Sequence, residues 1–139
     1  MDSTTLYAHI LGLSSPWRVT TVDLDTSVGE VRIRVSHGSE DALSCPSCGT
    51  ACSVHDHAPE RRWRHLDTCQ MQTLLICSIP RVSCPEHGVQ QLPVPWAEPR
   101  SRFTLLFEAL AIDLMLCCPR RRAAEILGCT EDSLAGIAR

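Results

Sequence analysis

RVSCPEHGVQQLPVPWA, residues 81–97, places a cysteine and a histidine three positions apart in a turn flanked by proline and glycine, with a proline-rich tail behind them. Three uses compete for Cys84 and His87: a metal site, a nucleophile with its base, or packing. The choice is decided upstream by CPSCG, residues 45–49. A two-residue gap lets the sulfurs of Cys45 and Cys48 converge on one ion. The glycine after the pair relieves crowding as backbone amides turn toward the thiolates. Cys84-Pro-Glu-His87-Gly88 repeats this architecture with imidazole as the fourth ligand, and Cys3His is a closed tetrahedral set that zinc accepts. No orienting carboxylate is evident for a nucleophilic Cys84. A thioredoxin-like redox pair would open a helix in a βαβ unit, whereas Cys45 follows a polar linker, SHGSEDALS. The sequence therefore points to one structural Zn2+ at Cys45, Cys48, Cys84 and His87, against the competing reading of two coincidental turns with free thiols.

The 35 residues between the two pairs exceed usual finger spacing. A β-excursion that returns the second turn beside the first accommodates them, which is the logic of a zinc ribbon. Cys52, His55, His57, Cys69 and Cys77 lie in the same region without a matched turn. Cys77 reads as a strand core residue and Cys52 as a buried or spare thiol. Cys117, Cys118 and Cys129 fall in or beside helical segments and read as small hydrophobes.

Composition supports a metal staple. The chain has 139 residues, 44% of them hydrophobic but only 4% aromatic, so its core rests on aliphatic side chains and a small module gains from a cross-link. MDSTTLYAHILGL has no basic n-region, and the apolar run 105–118 is broken by Glu108 and Asp113, so neither a signal peptide nor a membrane span is indicated. Nine cysteines without an export signal read as reduced thiols in the cytoplasm. The net charge of −3 conceals an asymmetry: residues 1–56 hold three Arg against seven acids, residues 57–139 ten Arg against nine. All basic residues are Arg, which suits bidentate phosphate and guanine contacts and more simply reflects a GC-rich coding sequence.

Residues 19–23 and 28–35 alternate apolar with polar about a short turn, predicting a two-stranded antiparallel unit with Val31, Ile33 and Val35 inward and Arg32 and Arg34 outward. Residues 71–79 read as a strand running straight into Cys84, with shorter extended pieces at 52–56 and 61–66. From Phe103 the period becomes helical, with Phe103, Leu106, Phe107, Leu110, Leu114 and Cys117 on one face and Ser101 as candidate N-cap. Pro119 ends that helix. PRRRAAEIL (119–127) predicts a second helix, Gly128 stops it, and Thr130 caps a third over EDSLAGIAR, whose first-turn acids suit the helix dipole.

Two segments point to nucleic acid. RRWRHLD (61–67) offers Arg61, Arg62 and Arg64 to phosphates, with Trp63 packing or stacking; the alternative is a solvated face over a buried tryptophan. The last twenty residues have the layout of a helix-turn-helix, with Ala123 and Ala124 at the crossing and Leu127, Leu134 and Ile137 in a shared core. A generic helical hairpin is the alternative. In the helix-turn-helix reading Arg120, Arg121 and Arg122 meet the backbone, and Thr130, Ser133 and Arg139 are presented to the groove beside Glu131 and Asp132. Acids there are repelled by phosphate, although they can accept from cytosine.

CPSCG, HDHAPERRWRHLD, PRVSCPEHGVQQLPVPWA and RFTLLFEAL, in that order, resemble the N-terminal portion of bacterial insertion-sequence transposases that begin with a zinc ribbon, continue through a helix-turn-helix and end in a DDE-type catalytic domain. The resemblance implies binding to the terminal inverted repeats of a mobile element. It also implies that the catalytic carboxylates would follow residue 139, so this chain is expected to be a non-enzymatic fragment, truncated frame or domesticated remnant. The expectation is an α+β chain: a small β-rich zinc ribbon over 1–97, then a three-helix helix-turn-helix module over 98–139. It binds double-stranded DNA at the nucleoid, with self-association as a second possibility and neither membrane nor small-molecule substrate. A domesticated transcription regulator and a zinc-stapled protein-interaction module are the rivals.

Overall fold

The computed structural model describes residues 1–38 and 43–138; the centre of the 36–44 linker and Arg139, a candidate DNA contact, lie outside the described residues. The chain is mixed α+β, with eight strands in two four-stranded sheets and four helices among the described residues. The extra helix is α1 (Ser3–Leu11), which the sequence reading passes over. Asp2 caps it by accepting from Thr5 N–H at 2.8 Å, but no residue of α1 is fully buried, so its apolar periodicity is weak. The Tyr7 hydroxyl donates to Thr68 Oγ1 at 3.0 Å and fastens the helix to the sheet.

β1 (Trp17–Asp25) and β2 (Glu30–His37) form the expected antiparallel pair, with Val31, Ile33 and Val35 buried. The first sheet continues through β6 (Met71–Cys77) and β5 (Arg61–Thr68) in the order β1-β2-β6-β5, and β2 pairs with β6 in parallel. The second sheet, β3-β4-β7-β8, holds β3 (Leu43–Ser44), β4 (Ala51–His57), β7 (Pro80–Cys84) and β8 (Gly88–Gln91), all antiparallel. The expected single strand from 71 into Cys84 is therefore corrected: it breaks after Cys77 and changes sheets. Pro80 has no N–H for a ladder and takes the first position of the new strand. Ile79 turns the corner, its carbonyl accepting from Ala58 N–H at 2.8 Å.

Two cores share β5 as a wall. Trp63 points into the first, where Trp17, Trp96 and Trp63 meet edge to face with centroids 5.1 and 5.3 Å apart. Trp63 is fully buried and packs; it is not a stacking platform. Cys77 lies in the same core, where burial pushes its thiol up to about 12. On the opposite face of β5, Leu66 and Arg64 lie against the helices α2 (Leu105–Cys117), α3 (Arg120–Leu127) and α4 (Glu131–Ile137). The second core is Phe107, Ala111, Ala123, Ala124, Leu127 and Leu134.

Helix α2 departs from its expected orientation. Its buried side chains are Phe107 and Ala111, while Leu106 and Leu110 are exposed, and its N-cap is Thr104 rather than Ser101. Apolar residues surround this helix, so periodicity alone gives it no direction. The Thr104 hydroxyl accepts from Phe107 N–H at 3.2 Å and lies 2.8 Å from Nδ1 of His65, which is buried. Burial holds the His65 pKa below its ordinary value of 6.5. The unfolded chain therefore takes up the proton first as pH falls, so the stability is present above about 6.5 and is lost on acidification toward the folded pKa. The melting temperature is expected to fall between pH 7.5 and 5.5 more steeply for the native chain than for His65→Gln. Equal slopes would remove His65 from the account.

Candidate metal centre and nucleic-acid interface

β3 ends beside Cys45 and β7 ends at Cys84, and the two turns that follow bring four ligand atoms together. The sulfurs of Cys45, Cys48 and Cys84 and a ring nitrogen of His87 all lie within 4.8 Å of one another. Cys48 Sγ is 3.7 Å from Cys84 Sγ, and His87 Nδ1 is 3.6 Å from Cys84 Sγ and 3.8 Å from Cys45 Sγ. Zinc bonds of about 2.3 Å to sulfur and about 2.0 Å to nitrogen give tetrahedral edges of about 3.8 and about 3.6 Å. The donor set and its spacing fit one tetrahedral ion and are too open for a disulfide, whose sulfurs sit about 2.0 Å apart. Backbone geometry supports the turns. Gly49 and Gly88, each directly after a ligand pair, have φ of 75° and 70°, and Ser47 N–H points at Cys45 Sγ from 3.4 Å. Hydrogen bonding with Thr50, whose hydroxyl lies 3.1 Å from Cys48 Sγ, brings the Cys48 thiol down to about 6, favouring the thiolate a metal needs. Thr50 is missed by sequence reasoning, although a hydroxyl two residues after a ligating cysteine is a usable signal.

The other sulfurs and rings of this region stay apart from the cluster. Cys52 donates to the Thr50 carbonyl at 3.1 Å, and Cys69 occupies the β5–β6 turn. His55 Nδ1 approaches Ser83 Oγ at 3.3 Å, and Asp56 between the two histidines is ion-paired to Arg81, which holds its carboxyl below the usual range.

The helical end has a helix-turn-helix arrangement: α3, a turn through Gly128, and α4, whose N-cap Thr130 accepts from Ser133 N–H at 3.1 Å. The hydroxyls of Thr130 and Ser133 bond each other at 2.9 Å, so both candidate contacts are engaged in capping. Arg120 is exposed, and Arg121 and Arg122 reach Glu125 from well-exposed positions at 3.6 and 3.0 Å.

The β5 arginines divide. Arg62 is exposed and has no ion pair among the described residues. Arg61 lies over the Trp63 ring and donates to the Ser101 carbonyl at 3.1 Å. Arg64 faces the protein. Its side chain is 11% exposed, and it donates to Asp67 Oδ1 at 2.7 Å, to the Leu127 carbonyl at 2.7 Å and to the Gly128 carbonyl at 3.2 Å, above the Phe107 ring. Its terminal nitrogens are turned onto the last carbonyls of α3 and onto Asp67, away from the position of an open phosphate contact. Arg64 is a clasp between the first sheet and the helical end. Arg100 and Arg102, overlooked in the proline-rich linker, are exposed beside α4.

Residues 41–87 match the family described as the zinc-finger of transposase IS204/IS1001/IS1096/IS1165. Residues 92–139 match the helix-turn-helix domain of transposase family ISL3. The chain is 28% identical over 132 residues to the transposase for insertion sequence element IS1557 of two Mycobacterium tuberculosis strains, CDC 1551 / Oshkosh and H37Rv. That alignment covers 91% of this chain and 30% of the relative. No solved structure matches.

Proposed function

We propose that this chain, whose residues 41–87 and 92–139 match the zinc-finger and helix-turn-helix models of insertion-sequence transposases, binds DNA in transposition by recognising the terminal inverted repeats of an insertion sequence. The observation that carries the reading is the back-to-back match of residues 41–87 and 92–139 to those two transposase segments. In this reading one zinc ion, held by Cys45, Cys48, Cys84 and His87, supplies a structural cross-link, because four protein ligands leave no open position for chemistry. Arg62 and Arg120, with Arg121 and Arg122, position the duplex through its phosphates, and α4 enters the major groove. Residues 1–139 bind and orient DNA and contribute no catalytic group. The partner is double-stranded DNA in the bacterial nucleoid rather than a small molecule, with pairing of two chains a further step when two ends are joined. No helix among the described residues is long and apolar enough to cross a membrane.

Fluorescence titration against a duplex bearing the repeats that flank this coding sequence, and against a scrambled duplex, tests the reading. The flanking repeat is expected to bind about 1,000-fold more tightly or better, the low end for specific recognition. Equal affinity for both would remove end recognition and leave non-specific binding. Absence of DNA affinity would favour a protein-interaction module, for which the acids Glu131 and Asp132 at the start of α4 speak.

A further inference from the structure

The linker between the two cores turns sharply at Glu98–Ser101, closed by Ser101 N–H to the Glu98 carbonyl at 3.1 Å. Pro99 suits the second position of such a turn, but the third, Arg100, has φ of 68°, where glycine or asparagine is favoured. A non-glycine residue held there is strained, and the strain is tolerated where the side chain is needed. Its neighbours supply a reason. Arg64 N–H bonds the Arg102 carbonyl at 2.8 Å and the Arg61 guanidinium bonds the Ser101 carbonyl at 3.1 Å, so the turn lies against the stretch of β5 that carries Arg62. Arg100, Arg102 and Phe103 form one wall of a cleft of about 290 Å³ whose other wall is Asp132, Ser133 and Gly136 of α4. A Cβ on Gly136 would meet nothing within 4 Å, so this side of α4 is open.

Charge distinguishes this corner. Among the described residues, Arg32, Arg34, Arg64, Arg81, Arg121 and Arg122 each engage a carboxylate. Arg62, Arg100, Arg102 and Arg120 are exposed with no carboxylate at ion-pair distance, and the first three lie on the linker turn or on the β5 stretch beside it. Glu108, the acid on the linker side, receives a hydrogen bond from Ser101 Oγ at 3.2 Å. Alone, α4 would meet a phosphate with Glu131 and Asp132; Arg100 and Arg102 on the opposite wall offset those two charges.

We propose that Arg100 and Arg102, with Arg62, form a phosphate-binding clamp that grips one DNA strand alongside α4, so that the linker is part of the DNA interface. This rests on the DNA-binding reading above. Each phosphate neutralised contributes about 0.9 to the slope of log affinity against log salt. In a salt series with duplex DNA, the exposed triple variant Arg62→Ala/Arg100→Ala/Arg102→Ala is expected to lower that slope by about 2 to 3, at unchanged zinc content. Arg100→Gly separates a structural role from a binding one: relief of the positive φ is expected to raise the melting temperature while affinity falls. A native chain that binds with a steep slope shared by the triple variant, or an Arg100→Gly protein more stable and equally tight, would overturn the clamp and leave the DNA-binding reading standing. A native chain without DNA affinity would overturn both.

Discussion

Stripping the metal with a strong chelator is expected to abolish the cooperative unfolding of the β3-β4-β7-β8 sheet. That sheet is poorly provided for otherwise: β3 has two residues and β8 four, and its inward side chains are few, chiefly Leu43, Val82, Cys45 and Cys84. Short strands with so little apolar burial are marginal in water without a staple. Structural zinc contributes on the order of 10 kcal/mol in finger peptides, comparable with the whole stability of a domain. Cys84→Ser is expected to mimic chelation, and chelation of that variant to add almost nothing, because both remove the same cross-link. Elemental analysis should give one zinc per native chain. A chelated protein that melts at the native temperature would refute the zinc assignment.

The second large effect is expected at Arg64, where truncation to Ala should cost about 3 kcal/mol. The change strands the Leu127 and Gly128 carbonyls and Asp67, and opens a void over Phe107. Hydrogen bonds to a charged group contribute about 1.5–3 kcal/mol each, and most of this side chain is withdrawn from water. Lysine should not restore the loss, since a single ammonium cannot reproduce a planar fork addressed to three acceptors. Because Arg64 joins β5 to the end of α3, hydrogen exchange should accelerate in α3 and α4 while the first sheet keeps its protection. Urea unfolding within about 0.5 kcal/mol of the native chain would show that the clasp is incidental.

The two effects differ in how far the sequence announces them. The zinc turns are local: a two-residue gap and a following glycine fix where each pair of ligand atoms points, so CPSCG and CPEHG declare their geometry without knowledge of the fold. The β1–β2 pair, the buried Cys77 and the α3–turn–α4 layout are legible for the same reason, since alternation, proline and capping residues act over a few positions. Arg64 is not local. In RRWRHLD its neighbours Arg61 and Arg62 carry the same charge, and only the arrival of Leu127 and Gly128, more than sixty residues later, separates a buried clasp from an exposed cation.

The sequence by itself determined the chemistry and spacing of the four candidate metal ligands, the strand and helix periods, and the order of a cysteine-rich β region before a helical end. Tertiary structure alone decided the parallel pairing of β2 with β6, the change of sheet at Pro80, and the facing of α2. It also placed the linker arginines beside α4. The physical reason is range. Backbone preferences and turn geometry act over a few residues, whereas the partner of a buried guanidinium, or the side that a helix apolar on most of its faces hides, is set by which distant surfaces meet when the two cores close on β5.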